Sequence, residues 1–165
     1  MEFYWLTPLL AIISRPKGND WLDDEMASLK RQGVDVVISC LTESEEKDLG
    51  LREEKFSAEQ HQLDFVGLAI EDRGTPENTL SFISTINRLV SQNKKRRIVV
   101  HCRQSLGRAP LVAAAILVRS GMTPDQAWQL IAEQRNQVVP ETEDQREWIN
   151  LFAHQNKLSM FAQSS

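Results

Sequence analysis

The most constraining stretch of this chain is a β-branched run, a tight loop and an apolar run in immediate succession. Ile98, Val99 and Val100 read as a buried strand. Leu111 to Val118, apolar throughout and rich in alanine, reads as a buried helix. The connection opens at Cys102 and closes at Arg108. A strand that turns sharply into a helix points backbone N–H groups into the turn, and the helix dipole adds partial positive charge there. The result is an anion cradle, and it belongs in a sheet whose strands feed helices.

Two side chains give the cradle chemistry. The amides and the helix end favour the ionised form of Cys102, the nucleophilic form of a thiol. Arg108, in the first helical turn, can hold two oxygens of a phosphate in a bidentate fork. A thiolate facing an oxyanion held by Arg and amides is what phosphoryl transfer through a phosphocysteine requires. The competing reading is an inert Cys packed under a helix.

His101, Cys102 and Arg108 resemble the signature loop of the cysteine-dependent protein tyrosine and dual-specificity phosphatases. Leu106-Gly107-Arg108 and the Leu-Val-Ala-Ala-Ala that begins at Leu111 look most like the kinase-associated phosphatase branch and its small bacterial relatives. The resemblance implies a phosphate-binding loop of Arg103, Gln104, Ser105, Leu106 and Gly107. It also implies that His101 lies beneath the loop, orienting it and favouring the Cys102 thiolate. Glu71-Asp72-Arg73-Gly74-Thr75-Pro76 resembles the general-acid loop of the same family, and Asp72 precedes Cys102 by the interval the resemblance requires. Asp72 would protonate the leaving oxygen and then accept a proton from water; a turn Asp bonding its own backbone is the alternative. Gln145 falls where the family carries a water-positioning glutamine, and it equally fits a capping box begun by Thr142.

Two positions depart from the family pattern. Ser105 stands where glycine is usual, so a positive φ there would cost energy. Ala109 replaces the Ser or Thr whose hydroxyl stabilises the departing thiolate, so breakdown of the phosphocysteine is expected to be slow. Arg103 offers either a second positive charge at the mouth or a surface Arg paired with an acid.

The rest of the chain reads as alternating strands and helices. Strands are expected at Phe3–Leu6, Leu9–Ile13, Val34–Cys40 and Leu63–Ile70. A helix capped at Asn19 or Asp20 carries Trp21, Leu22, Met26 and Leu29 inward and ends at Gly33. Thr42 caps a short helix, Leu51–Gln60 forms another, and the acidic cluster between them reads as a solvated face. A helix from Asn78 or Thr79 buries Leu80, Phe82, Ile83, Ile86, Leu89 and Val90. Thr123-Pro124-Asp125-Gln126 is a capping box with Pro at the first helical position. A last helix from Thr142 carries Trp148, Ile149, Leu151 and Phe152, with a frayed tail from Ser159. The Lys94–Arg97 run reads as a solvated turn at a helix C-terminus. Cys40 reads as core. The pattern is α/β, one domain over 1–165 with a mostly parallel central sheet flanked by helices; the resemblance makes this a protein tyrosine phosphatase-like fold.

Composition narrows the function. A net charge of −4 argues against non-specific nucleic-acid or membrane binding. Two Cys and three scattered His suggest neither a disulfide framework nor a metal site, and no cofactor is expected. With no apolar run long enough to span a bilayer, a cytoplasmic setting is expected. The expected activity is hydrolysis of phosphotyrosine, and phosphoserine or phosphothreonine, in a phosphorylated protein. The alternatives are the same chemistry on a phosphoinositide or RNA 5′ end, and a degenerate phosphatase that binds phosphoproteins. A rhodanese-like sulfurtransferase also uses a Cys loop but has no need of Asp72.

Overall fold

The computed structural model describes residues 1–164, with side chains through Leu158; the tail expected to fray from Ser159 lies outside the described side chains. Five strands form one sheet: β1 (Phe3–Thr7), β2 (Leu10–Ile13), β3 (Val36–Ser39), β4 (Asp64–Gly67) and β5 (Ile98–His101), in the order β1-β2-β5-β3-β4. Only the edge pair β1–β2 is antiparallel, joined by a tight hairpin through Pro8. β5 runs parallel between β2 and β3, with Val99 level with Ala11 on one side and Val37 on the other.

Both faces of this sheet are covered, so its strands read as unbroken apolar runs. On one face Ile12, Val36, Ile38, Ile98 and Val100 pack under α4 (Thr79–Gln92), α5 (Arg108–Arg119), α6 (Pro124–Arg135) and α7 (Glu143–Ser164). On the other, Ala11, Ile13, Val37 and Val99 pack under α1 (Leu22–Arg31) and α3 (Glu54–Gln60). α5 is buried from Arg108 to Val118, surrounded by α4, α6 and α7. Its apolar character on every side is what a central helix needs. The loop that matters therefore sits at the carboxyl end of the central strand and the amino end of the central helix.

Several boundaries differ from expectation. Asn19–Trp21 is a 3-10 turn and α1 begins at Leu22, so Trp21 points outward (60% exposed) beneath the Lys17 ammonium. Leu80 and Leu151 are also exposed, on the outer faces of α4 and α7. Strand β4 stops at Gly67, and α3 begins at Glu54. Both capping boxes at Thr42 and Thr123 form, the first opening α2 (Glu43–Leu49). The acidic cluster is more than a solvated face: Glu54 is 1% exposed, and Glu45 turns inward. Among the described residues no helix is long and apolar enough to cross a membrane.

Candidate functional site

Cys102 follows β5 directly and is almost fully buried at the floor of a cleft. The cleft holds about 270 Å³ and is lined by Cys102, Arg103, Gln104, Leu106, Gly107 and Arg108, with Asp72, Arg73 and Glu141 at its rim. The loop's conformation follows from where its carbonyls go. Arg15 donates to the Arg103 carbonyl (2.6 Å), Arg135 to that of Ser105 (3.0 Å) and Gln137 to that of Leu106 (2.8 Å). Three loop carbonyls are thus tied to the outside, and the Ser105 N–H donates to Cys102 Sγ at 3.1 Å.

Ser105 takes φ 57°, the left-handed conformation that favours glycine. Its side chain offsets the strain. The hydroxyl donates to the Ile13 carbonyl (2.6 Å) and accepts from the Cys102 N–H (3.4 Å), so it braces the loop against β2. It is therefore not aimed at a substrate and does not replace a hydroxyl at Ala109, which is buried in the first turn of α5. A Cβ on Gly107 would lie 2.0 Å from a carboxylate oxygen of Glu141, so a side chain there would displace the Glu141 carboxylate.

Arg108 is 2% exposed and its five donors are divided. Nη1 donates to Glu45 Oε1 (2.6 Å) and to the Ile70 carbonyl (2.8 Å); Nη2 donates to Glu45 Oε2 (2.9 Å). The Nε–H and the second Nη2 hydrogen remain, which is the pair of donors a bidentate phosphate contact uses. Glu45 thus fixes the guanidinium plane from behind. Its carboxylate also closes the Thr42 capping box, so one oxygen serves the helix cap and the arginine. The Arg108 hydrogen bonds hold the Glu45 carboxyl down at about 2, against the opposing effect of burial. Burial alone would lower the Arg108 guanidinium, but Glu45 and the neighbouring Cys102 and Asp72 outweigh it and the net shift is upward.

Asp72 lies on the loop after Ile70, 74% exposed, with Oδ1 3.8 Å from Arg108 Nη2. Its loop is held from beneath and from the side. Arg108 binds the Ile70 carbonyl, Gln145 Nε2 donates to the Gly74 carbonyl (3.1 Å), and Arg73 pairs with Glu141 (3.1 Å). Gln145 is fully buried, and its amide oxygen accepts from the Glu141 N–H. The structure places it under the Asp72 loop rather than in the lining of the cleft. The Thr142 hydroxyl accepts from the Gln145 N–H, half of the expected capping box.

His101 is fully buried below the loop, with Nδ1 3.4 Å from the Cys102 carbonyl and Nε2 2.6 Å from Glu54 Oε1. Arg103 has no acidic partner among the described residues and opens both onto the cleft and onto a neighbouring groove. Cys40 is buried beside Cys102, and burial together with that neighbour raises its thiol well above the ordinary value. Among the described residues no cluster of His, Cys, Asp or Glu has the makings of a metal site.

The sequence reading missed Glu45, Glu54, Glu141, Arg15, Arg135 and Gln137. Glu45 carried a signal, since Thr42-x-x-Glu45 follows closely on a strand whose last residue, Ser39, is level with His101, next to Cys102. The others are set by packing between distant segments and leave no local pattern.

Several known proteins are similar to this chain. Residues 11–122 match the family model described as "Polymorphic toxin system, DSP-PTPase phosphatase". A probable protein tyrosine phosphatase type IVA A of Dictyostelium discoideum is 35% identical over 66 residues, 39% of this chain and 40% of that protein. The matched stretch thus spans about two-fifths of that relative's length. PTPMT1, solved in complex with PI(5)P, superposes with a TM-score of 0.80 at 16% identity, over 96% of this chain and 98% of that one. Kinase associated phosphatase (KAP) gives 0.77 at 20% identity, over 90% and 87%. Tk-PTP in its active form gives 0.73 at 21% identity, over 92% and 96%. These structures share the fold, and the family match covers β2 from Ala11 onward, β3, β4, β5 and all of α5. The chain belongs to the DSP-PTPase phosphatase family.

Proposed function

We propose that this protein hydrolyses phosphotyrosine, and with a tolerant cleft phosphoserine and phosphothreonine, in phosphorylated proteins through a phosphocysteine. The observation that carries this reading is the convergence of Cys102, Arg108 and Asp72 on one small cleft, with the Ser105 N–H turned to the Cys102 sulfur. The Cys102 thiolate attacks phosphorus while the ester P–O bond breaks, and Asp72 delivers its proton to the departing oxygen. The free Nε and Nη2 edge of Arg108 and the loop amides hold the equatorial oxygens as charge develops. Water then attacks the phosphocysteine, Asp72 takes a proton from it, and inorganic phosphate leaves as the thiolate returns.

The surroundings favour a protein over a multiply phosphorylated lipid. The groove beside the cleft is lined by Glu43, Glu45, Glu71 and Asp72 against the single cation Arg103. A second phosphate seated there would face like charge, whereas a peptide backbone would not. Releasing phosphate from a phosphotyrosine peptide and from a phosphoinositide, with wild type and Cys102→Ser, tests the proposal. Peptide turnover that Cys102→Ser abolishes supports it. Preference for the phosphoinositide reverses the substrate reading, and wild-type capture without turnover makes the protein a phosphoprotein-binding module.

A further inference from the structure

The buried pair beneath the nucleophile has no structural explanation. Glu54 on α3 is 1% exposed and His101 is fully buried, yet they meet at 2.6 Å in the middle of a packed domain. Among the described residues Glu54 Oε2 has no hydrogen-bond partner. A carboxyl half-satisfied in the interior is costly, and an apolar residue would fill the same space more cheaply. Features that cost stability without repaying it in packing concentrate at functional sites.

The hydrogen bonds define the arrangement. The Cys102 carbonyl can only accept, so His101 Nδ1 must carry a proton to bond it. Nε2 faces Glu54 Oε1, and in the carboxylate form that oxygen also accepts. With Glu54 as a carboxylate, both ring nitrogens can donate at once. The ring lies next to Cys102, with the Glu54 carboxyl on its far side.

We propose that Glu54 is a positioning residue for the nucleophile: it keeps His101 protonated on both nitrogens, so that a positive ring lies under Cys102 and favours its thiolate. The proposal rests on the phosphocysteine reading and adds to it a residue from the opposite face of the sheet. Two other titratable groups are within electrostatic reach of the pair: Glu46 on α2, which feels both Glu54 and His101, and Cys40 just past the end of β3, which feels Glu54. Burial raises the Glu46 carboxyl first, and the charge of Glu54 raises it further, while His101 and Arg52 act the other way. Glu45 is occupied by Arg108, so the carboxylate that reaches His101 is that of Glu54.

Glu54→Gln separates charge from geometry. A glutamine amide donates to Nε2 and leaves His101 neutral with its Nδ1 proton in place, so both hydrogen bonds survive and only the positive charge goes. The experiment is the rate of iodoacetamide alkylation, read at the Cys102 peptide across pH, with melting temperature followed in parallel. The expected result is a curve displaced to higher pH, with alkylation about tenfold slower on its acid limb, the size of a one-unit change in ionisation. Glu54→Asp, which restores the charge at a longer reach, should recover part of that loss. An unchanged curve overturns the proposal.

Should Glu54→Gln fail to fold, the nitrogen chemical shifts of His101 in the wild-type protein decide. An imidazolium at neutral pH supports the proposal, and a neutral ring overturns it. Neither readout needs a turnover assay, so a wild type that fails to hydrolyse phosphopeptides counts against the proposed function and leaves this test standing.

Discussion

Glu45→Gln tests the arginine clamp most sharply. Glutamine preserves the side-chain length, can still close the Thr42 capping box and can still accept one Arg108 hydrogen bond. What goes is the charge opposite a guanidinium that is 2% exposed, in a pair with bonds of 2.6 and 2.9 Å. Breaking a fully buried pair costs about 3–5 kcal/mol. Glu45 is itself 14% exposed, and one neutral bond remains, so a loss of about 2 kcal/mol is expected at pH 7. For a domain of this size that corresponds to a fall of roughly 4–8 °C in melting temperature.

The pH dependence has a definite sign. The folded-state Glu45 carboxyl lies at about 2, down from 4.5 when unpaired. Its stabilisation is therefore complete above about pH 4.5 and is lost as pH falls through about 2. The melting-temperature gap between wild type and Glu45→Gln should hold from neutral pH to about pH 5, then narrow steadily on acidification. Differential scanning fluorimetry across pH reads it directly. Orthovanadate inhibition should weaken about tenfold, because the Nε and Nη2 edge is no longer aimed into the cleft. A gap that is absent at neutral pH, or one that widens on acidification, would refute the reasoning.

Asp72→Asn should lower turnover of an aryl phosphate by about 10²–10⁴-fold, the range for a lost general acid, with little change in melting temperature because Asp72 is largely exposed. Equal activity would exclude Asp72 as the proton donor. Ala109 is fully buried beside Arg108 and offers no hydroxyl to the departing thiolate. Rapid-quench kinetics on the wild type should therefore show a burst of leaving group followed by a slower steady rate. Ala109→Ser should raise the steady rate and diminish the burst, and a wild type without a burst would contradict this.

How much of this was legible in the sequence depends on the range of each interaction. The central strand, the apolar helix and the loop between them are local patterns, and they folded as read, with Cys102 and Arg108 on one cleft. Asp72 joined them because its loop follows a strand end on the same edge of the sheet. Ser105 could be read as a strained position, but the bond from its hydroxyl to Ile13, far away in the chain, could not. Trp21, Leu80 and Leu151 misled because helical spacing fixes which residues share a face without saying how wide the buried stripe is. The acidic segment misled for the opposite reason. Glu45 and Glu54 belong to charged, surface-like helices; the capping box at Thr42 aims the first carboxylate at Arg108, and the packing of α3 beside β4 carries the second to His101.

The central claim is that Cys102 carries the phosphoryl group between substrate and water. Its most direct measurement is mass mapping of wild-type protein acid-quenched during turnover of an aryl phosphate. The account predicts one added phosphoryl group on the peptide holding Cys102, absent from Cys102→Ser and accumulating faster than phosphate is released at first. Phosphate release with that peptide unmodified, or with the group on another residue, would contradict it.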